Sequence, residues 1–387
     1  MARVMLSCGE PSGDLYAAEL ARALSARRPG IDVFGFGGPR SEAAGVRLVG
    51  RYTGLSVTGL TEAIRVLPAT FAMLRRLVQA ARDTRPDALV VVDYPDFNFR
   101  LMAAVARMGV PIVYYVTPQV WAWRAGRMKT LQRHVSLALP IFPFEEPLYQ
   151  RAGIPVRFLG HPLVDAVPAP PADPAASAAC QADRRRAIGL DPARPTLALL
   201  PGSRHNEIAR LVPVMAEALP IVAASVAGLQ AVVACAPGHD DHEFAALAGA
   251  TPPARLVRGR VADVLAAADV VVTASGTATA ETALHERPMV VVYKLSPLTY
   301  RLGKPLVTID TYAMANLVAG ERIVPELIQD ACTPAAVAAE TTALFTDRGR
   351  WERTRARLAE TRAKLGPPGS SGRVADAVLE LIDARRV

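Results

Sequence analysis

VVVTASGTATAE, residues 270–281, is the stretch that decides how this chain is read. Val270 to Ala274 form an unbroken run of five residues that reads as a buried strand. The run stops at Ser275-Gly276-Thr277, and a helix-forming segment rich in Ala and Thr follows, with Glu281 one turn in. Small residues at such a junction let a ligand approach the main chain closely. The first N–H groups of the helix are unpaired and sit at the positive end of its dipole, which suits a phosphate. Glu281 is then placed to accept hydrogen bonds from a ribose diol. An ordinary strand–loop–helix junction capped by Ser275 or Thr277 explains the same residues. The surrounding sequence has to choose between them.

The same grammar recurs through the second half. Thr196 to Leu200 reads as a strand and ends in Pro201-Gly202-Ser203-Arg204-His205-Asn206-Glu207. A strand, a tight Gly-Ser turn and then Arg204 make a pyrophosphate clamp, because arginine stays charged and binds two phosphate oxygens at once. Gln230 to Cys235, Arg255 to Val257 (ending at Arg258-Gly259) and Pro288 to Tyr293 are the other strands. Asn316, in Asn316-Leu317-Val318-Ala319-Gly320-Glu321, is expected on an exposed loop facing the ligand. The tail, Trp351 to Arg385, reads as helices broken by Gly366-Pro367-Pro368-Gly369.

The first half repeats the alternation. Arg3 to Cys8 is a short buried strand closed by Gly9-Glu10-Pro11-Ser12-Gly13-Asp14, with a helix from Leu15 to Arg27. Such a loop lies at the carboxyl end of its sheet, where ligands bind, although a turn in which Ser12 or Asp14 caps the helix is the plainer explanation. Ile31 to Gly37 is the second strand. Ala88 to Val92 is a central strand ending in Asp93-Tyr94-Pro95-Asp96-Phe97-Asn98. Two carboxylates at a strand end can act as a general base and its support; a turn built from Asp, Pro and Asn uses the same residues. Val110 to Val116 is followed by Thr117-Pro118-Gln119-Val120-Trp121-Ala122-Trp123-Arg124. Ser136 to Leu139 and Pro155 to Leu159 complete the strands, the last ending at Gly160-His161-Pro162-Leu163.

Leu60 to Arg82 is a long helical run. Leu60, Ile64, Leu67, Phe71, Leu74 and Val78 form one apolar stripe at helical spacing, expected as core. Val66, Met73 and Leu77 widen the apolar face, Arg65, Arg75, Arg76 and Arg82 flank it, and Pro68 is expected to kink the run or start a second helix. An apolar face beside arginines also suits a membrane surface.

The length of 387 residues suggests two domains. Hydrophobic residues make up 51% and charged residues 21%, which excludes global disorder. Residues 1–165 hold 20 Lys+Arg against 13 Asp+Glu, and the remainder 24 against 23, so nearly all of the net charge of +8 lies in the first half. That points to an anionic partner there. Only four of the 44 cations are lysine, so part of the basicity is compositional. Cys8, Cys180, Cys235 and Cys332 are far apart, and no pair has zinc or redox spacing. The N-terminus has no signal-peptide pattern and no apolar run reaches about 18 residues, so a cytoplasmic protein free to attach to a surface is expected.

The boundaries expected are an N-terminal Rossmann-like domain over 1–167, a Pro- and Ala-rich linker with a surface helix over 168–190, a C-terminal Rossmann-like domain over 191–345, and helices over 346–387 free to pack back on the first domain. Two facing Rossmann-like domains with a ligand cleft between them suit a nucleotide-sugar enzyme.

The motifs Gly9 to Asp14, Asp93 to Asn98, Val120 to Arg124, Pro143-Phe144-Glu145, Gly160-His161-Pro162, Leu200 to Glu207, Ala274 to Glu281 and Asn316 to Gly320 stand in the order found in the lipid-A-disaccharide synthase family, which the chain resembles from near residue 8 to near residue 330. The 168–186 segment matches that family poorly. The resemblance implies an α/β fold of GT-B type and an inverting transfer that joins UDP-2,3-diacylglucosamine to 2,3-diacylglucosamine 1-phosphate, releasing UDP. No cofactor or metal is implied. On this reading Asp96 is the base, with Asp93 as alternative or support. Arg204, Ser203, Gly202, Ser275, Gly276, Thr277 and Glu281 hold UDP, with Asn316 and the main chain near Arg258 as lesser contacts. Glu10, Ser12, Gly13 and Trp123 line the acceptor side. Arg65, Phe71, Met73, Arg75, Arg76 and Leu77 meet an anionic membrane at the inner face of the inner membrane. The alternatives are another GT-B enzyme using a UDP-sugar, such as a cell-wall transferase or a UDP-sugar 2-epimerase, and a basic nucleic-acid-binding protein. The last lacks any binding motif or Lys/Arg-rich arm, so no nucleic-acid partner is expected. Oligomeric state is not set by the sequence.

Overall fold

A computed structural model of the chain describes residues 2–52, 60–121, 125–236, 238–296, 300–301 and 310–385, the side chains of 60–66 and 125 excepted. The chain divides into two compact units, Met1–Asp165 with Leu365–Val387, and Ala166–Lys364.

The first unit is built on a parallel sheet of six strands, β1 (Arg3–Cys8), β2 (Asp32–Gly37), β3 (Arg47–Arg51), β4 (Ala88–Val92), β5 (Ile112–Tyr115) and β6 (Leu137–Leu139), in the order β3-β2-β1-β4-β5-β6. β1 and β4 pair from Val4 with Ala88 to Cys8 with Val92. Their apolar runs are buried on both faces, as central parallel strands require. Four helices follow β1 to β4 in turn: α1 (Pro11–Arg27), α2 (Pro39–Ala43), α3 (Leu60–Thr84) and α4 (Pro95–Ala106). The segment Pro155 to Leu159, expected as a strand, contributes only an isolated bridge between Val156 and Ala138. The closing helix Ser370–Asp383 packs on α1, with Arg28 paired to Asp383 and Arg27 to Asp376.

α3 corrects the stripe read from the sequence. It runs unbroken through Pro68. Leu67 and Phe71 are 43% and 44% exposed, whereas Leu77 is fully buried. Met73 packs over Gly50, where a Cβ would come within 2.2 Å of its sulfur. The sheet thus takes the flank at Met73, Leu77 and Ala81, with Leu74 and Val78 beside it, and leaves Leu67 and Phe71 outside. Leu77, expected at a membrane, is core.

The second unit repeats the plan with β7 (Thr196–Leu200), β8 (Gln230–Cys235), β9 (Ala254–Arg258), β10 (Val270–Ala274), β11 (Met289–Tyr293) and β12 (Glu326–Ile328), in the order β12-β11-β10-β7-β8-β9. Alternate residues feed two core layers: Leu197 and Leu199 on one face of β7, Ala198 and Leu200 on the other. β12 is a short edge strand with too little apolar pattern to be read in advance. The segment expected as a linker with a surface helix carries the helix Pro174–Ala187, capped by the Asp173 carboxylate on Ala176 N–H at 2.8 Å. Its buried Arg185 donates to Asp269 at 2.7 Å and to the Ala267 carbonyl at 2.9 Å, which fixes the helix to the second unit.

Both sheets change direction once. In the first, the chain moves outward from β1 to β2 and β3, then returns to lay β4 on the other side of β1. In the second, β10 returns beside β7 in the same way. At each reversal two adjacent carboxyl-end loops diverge, and the crevice they leave is where open α/β sheets take ligands.

Candidate functional site

The loops singled out by the sequence sit at these two reversals. In the second unit the loop after β7 carries Gly202, Ser203 and Arg204, and the loop after β10 carries Ser275, Gly276 and Thr277. Gly202 has φ 112°, and a Cβ there would meet Glu207 Oε2 at 2.5 Å, so only glycine fits. Glu207, in the first turn of the helix His205–Ser225, accepts from Ser203 N–H at 3.2 Å and from Arg204 Nη1 at 3.1 Å. The carboxylate thereby shapes the turn and holds an arginine whose side chain is still 60% exposed. Tyr293, at the end of β11, is half-buried here; its hydroxyl is pushed above the ordinary range by burial and by the Glu207 charge, with Arg204 opposing. It was not anticipated, since a tyrosine closing an apolar strand looks like core.

Gly276 has φ 137° and precedes the helix Thr277–Leu284. The Ser275 hydroxyl donates to the Tyr312 carbonyl at 2.8 Å, and its N–H to the Val292 carbonyl at 3.0 Å. Ser275 therefore fixes the loop, and the donors that remain for an anion are those of the helix's first turn. Glu281 is half-buried, and burial raises its carboxyl above the usual range.

One donor-side expectation changes. Asn316 lies in the helix Met314–Ala319 and is 1% exposed. Its Nδ2 donates to the Val324 carbonyl (2.9 Å) and Glu326 Oε1 (2.8 Å), and its Oδ1 accepts from the N–H groups of Ile323 (2.9 Å) and Val324 (3.0 Å). All four amide bonds are consumed in holding residues 323–326, so Asn316 is a structural clamp and not an exposed donor contact. The Arg258 side chain is turned to the His239 carbonyl and Asp241.

In the first unit the loops after β1 and β4 meet at the reversal. Gly9 lies against the ring of Tyr94, where a Cβ would come within 2.1 Å. Asp93 and Tyr94 both have positive φ, 46° and 49°. Two successive non-glycine residues there are strained, and such strain persists only where the surroundings over-determine it. Asn98 supplies that support: it is fully buried, donates through Nδ2 to the Asp93 carbonyl at 2.7 Å and accepts from Ser7 Oγ at 2.6 Å. The Tyr114 hydroxyl donates to the same Asp93 carbonyl at 3.1 Å. Asp93 is half-buried, while Asp96, in the first turn of α4, is 71% exposed and paired through Oδ1 with Arg127. Arg127 in turn lies over the Phe99 ring at 5.1 Å. The basic residue was missed because it is 31 positions downstream and outside every motif.

Glu10 and Ser12 flank the start of α1 at the solvent side. Gly13 is buried, with Cys8 Cβ 3.3 Å and the Val92 carbonyl 3.7 Å from where its Cβ would be, so it admits close helix–strand packing and does not line an acceptor surface. Asp14 is fully buried and accepts from the N–H groups of Gly38, Arg40 and Ser41 at 2.9–3.1 Å, so it caps α2 across the sheet instead of its own helix. Trp123 lies outside the described residues, as does the side chain of Arg65. Trp121, two residues before Trp123, donates from Nε1 to Glu145 Oε1 at 2.9 Å. Glu145 also accepts from Phe142 N–H at 3.3 Å. Burial pushes the Glu145 carboxyl up to about 8 against the lowering effect of these bonds. Met73, Arg75, Arg76 and Phe71 follow one another along α3, the arginines exposed and Met73 half-buried.

The family described as Lipid-A-disaccharide synthetase matches residues 4–378. A Lipid-A-disaccharide synthase from Myxococcus xanthus is 43% identical over 388 residues, covering 100% of this chain and 99% of that protein. Among solved structures, UDP-GlcNAc 2-epimerase from Neisseria meningitidis bound to UDP-GlcNAc is similar with a TM-score of 0.67 at 12% identity, over 98% of this chain and 100% of that one. MurG from Acinetobacter baumannii is similar with a TM-score of 0.59 at 16% identity, over 98% and 100%. At those identities the structures speak for the GT-B fold alone, while the sequence matches run the length of the chain: it belongs to the lipid-A-disaccharide synthase family.

Proposed function

We propose that the two sheet reversals divide the family's reaction between them, the second unit holding UDP and the first taking the acceptor and its proton. As a member of the family, the chain is a glycosyltransferase of lipid A biosynthesis that condenses UDP-2,3-diacylglucosamine with 2,3-diacylglucosamine 1-phosphate. The observation that carries the division is the placing of Gly202–Arg204 beside Ser275–Thr277 at one reversal, and of Asp93–Asn98 beside Gly9–Asp14 at the other.

The acceptor's 6-hydroxyl loses its proton as its oxygen attacks the anomeric carbon, and the bond from that carbon to UDP breaks with inversion to the β(1→6) linkage. Asp96 takes the proton and Arg127 orients its carboxylate through Oδ1. Asp93, on strained backbone, is the alternative base or its support. Negative charge grows on the departing UDP, and fixed donors that meet it cost no reorganisation. Arg204 and the first turn of the helix Thr277–Leu284 supply them, while Glu281 accepts from the ribose. Glu10, Ser12 and Trp123 are assigned to the acceptor. Exposed Leu67 and Phe71 with Arg75 and Arg76 rest on an anionic bilayer at the inner face of the inner membrane, where both acylated substrates partition.

The test separates the two reversals. Asp96→Asn is expected to keep UDP affinity and lose turnover; Arg204→Ala is expected to lose UDP affinity first. Turnover of Asp96→Asn near that of the parent protein would remove Asp96 as the base, and unchanged UDP affinity in Arg204→Ala would remove the clamp.

A further inference from the structure

Beside the loop after β7 three side chains converge that the reaction leaves unused. His205 opens the helix His205–Ser225, His239 follows β8, and Glu243 lies in the short turn Asp241–Phe244. Their ligating atoms all fall within 4.8 Å of one another. His205 Nδ1 is 2.7 Å from Glu243 Oε2, and His239 Nδ1 is 3.1 and 3.2 Å from the two carboxylate oxygens. The imidazole rings are 4.3 Å apart between centroids.

The hydrogen-bond chemistry of His239 is directional. Its Nε2 lies 3.0 Å from the Ser203 carbonyl, which only accepts, so Nε2 carries a proton. A neutral imidazole then turns a lone pair from Nδ1 toward Glu243, which also only accepts. Either a second ring proton or a cation bound to both satisfies the pair, and the same choice holds for His205 Nδ1, 2.7 Å from Glu243 Oε2. The supporting shell is built: the Ser203 carbonyl fixes the His239 tautomer, as outer-shell carbonyls do for metal-bound histidines, and Asp240 N–H donates to Glu243 Oε1 at 3.1 Å. His239 is 7% exposed and the Glu243 side chain 15%, while the His205 side chain is 60% exposed and leaves a way in from solvent. The surrounding charges are Arg258, which is paired with Asp241, and Asp240 with His242 at the rim.

We propose that His205 Nδ1, His239 Nδ1 and the Glu243 carboxylate form a site for one borderline divalent cation of the zinc class, which ties the loop Gly202–His205 to the turn Asp241–Phe244. Two imidazoles and one carboxylate favour zinc, cobalt(II) or nickel over magnesium or calcium. Three protein ligands leave a fourth position for water or a phosphate oxygen. The site rests on the donor-loop geometry and not on the catalytic roles assigned to Asp96 or Arg204, so its test does not require turnover.

Full-length protein is stripped with EDTA, exchanged into chelator-free buffer and titrated with cobalt(II) alone, then zinc alone, with visible absorption and calorimetry as readouts. One equivalent is expected to bind and to give the intense visible bands of a four-coordinate cobalt site, displaced by zinc but not by a large excess of magnesium. His239→Ala should weaken zinc by at least the 10- to 100-fold that losing an outer-shell partner alone costs. The exposed His205→Ala, which disturbs packing least, should weaken it as well, and Cys180→Ser should leave it unchanged. Zinc binding equal in the parent protein and His205→Ala, loss of binding in Cys180→Ser, or displacement by magnesium at equal concentration would overturn the assignment.

Discussion

The two sheet reversals have the same topology and opposite characters. At β1/β4 the polar groups behind the loops are buried and spent: Asp14 caps α2, Asn98 holds the Asp93 carbonyl, and two non-glycine residues sit at positive φ, while Asp96 stands exposed in front of them beside Arg127. At β7/β10 the positive-φ positions are glycines, Gly202 and Gly276, and Arg204 points out from an exposed turn. One loop pair is a stressed and braced mount for carboxylates; the other is a relaxed surface of donors. A proton acceptor must be held in one place, whereas a diphosphate is met by any donors that converge on its charge.

The largest expected effect breaks the braced side. Asp96→Asn should lower kcat by about 10²–10⁴-fold, the range for a positioned general base, with UDP affinity measured by calorimetry unchanged. Arg204→Ala comes next. Losing hydrogen bonds to a charged group costs about 1.5–3 kcal/mol, so UDP should bind roughly 10- to 100-fold more weakly while the fold stays intact.

Asn316→Ala sharpens the comparison, because a residue expected at the donor side proves to be a clamp. Its loss leaves buried N–H and C=O groups near Ile323 and Val324 unpaired, and stability by denaturant titration should fall by about 1–3 kcal/mol. A fall in UDP affinity without a fall in stability would return Asn316 to the ligand.

Glu145 gives a pH test. Its carboxyl rises from an ordinary 4.5 to about 8 in the folded protein, chiefly through burial. The folded state then holds the proton more tightly across that window, and the stability it contributes is lost as pH rises from 4.5 through 8. Glu145→Gln cannot titrate, so melting temperatures of the parent protein should fall relative to the variant between about pH 5 and 8. Parallel curves would mean that Trp121 and Phe142 hold a charged carboxylate. The smallest effect is expected at the surface: Leu67→Ser with Phe71→Ser should weaken salt-sensitive binding to anionic vesicles and leave melting unchanged. Equal vesicle binding by the double variant would detach α3 from the membrane.

The strands and the ligand loops were legible because parallel strands carry unbroken apolar runs and end in glycine-bearing turns. Of the twelve strands among the described residues ten were read in advance, β9 on no more than Leu256 and Val257. β3, Arg47–Arg51, escapes because Leu48 and Val49 stand between Arg47 and Gly50-Arg51 with no longer apolar run, and β12, Glu326–Ile328, because it has only three residues. The face of α3 was misjudged because helical spacing shows that an apolar stripe exists, and only the tilt over the sheet decides that Leu77 goes in while Phe71 stays out. Asn316 misled for a related reason: a polar residue between apolar ones reads as exposed until the four groups it bonds are seen. Arg127 and His205 carry no local signature, since the partners they meet, Asp96 and the His239–Glu243 pair, lie 31 or more positions away.

The most direct measurement is UDP release by purified protein given UDP-2,3-diacylglucosamine, with and without 2,3-diacylglucosamine 1-phosphate, in detergent with EDTA. The account expects release that depends on the acceptor and persists in the chelator, because Arg204 and the helix at Thr277 carry the leaving charge. Release without acceptor, or none until magnesium is restored, would contradict it.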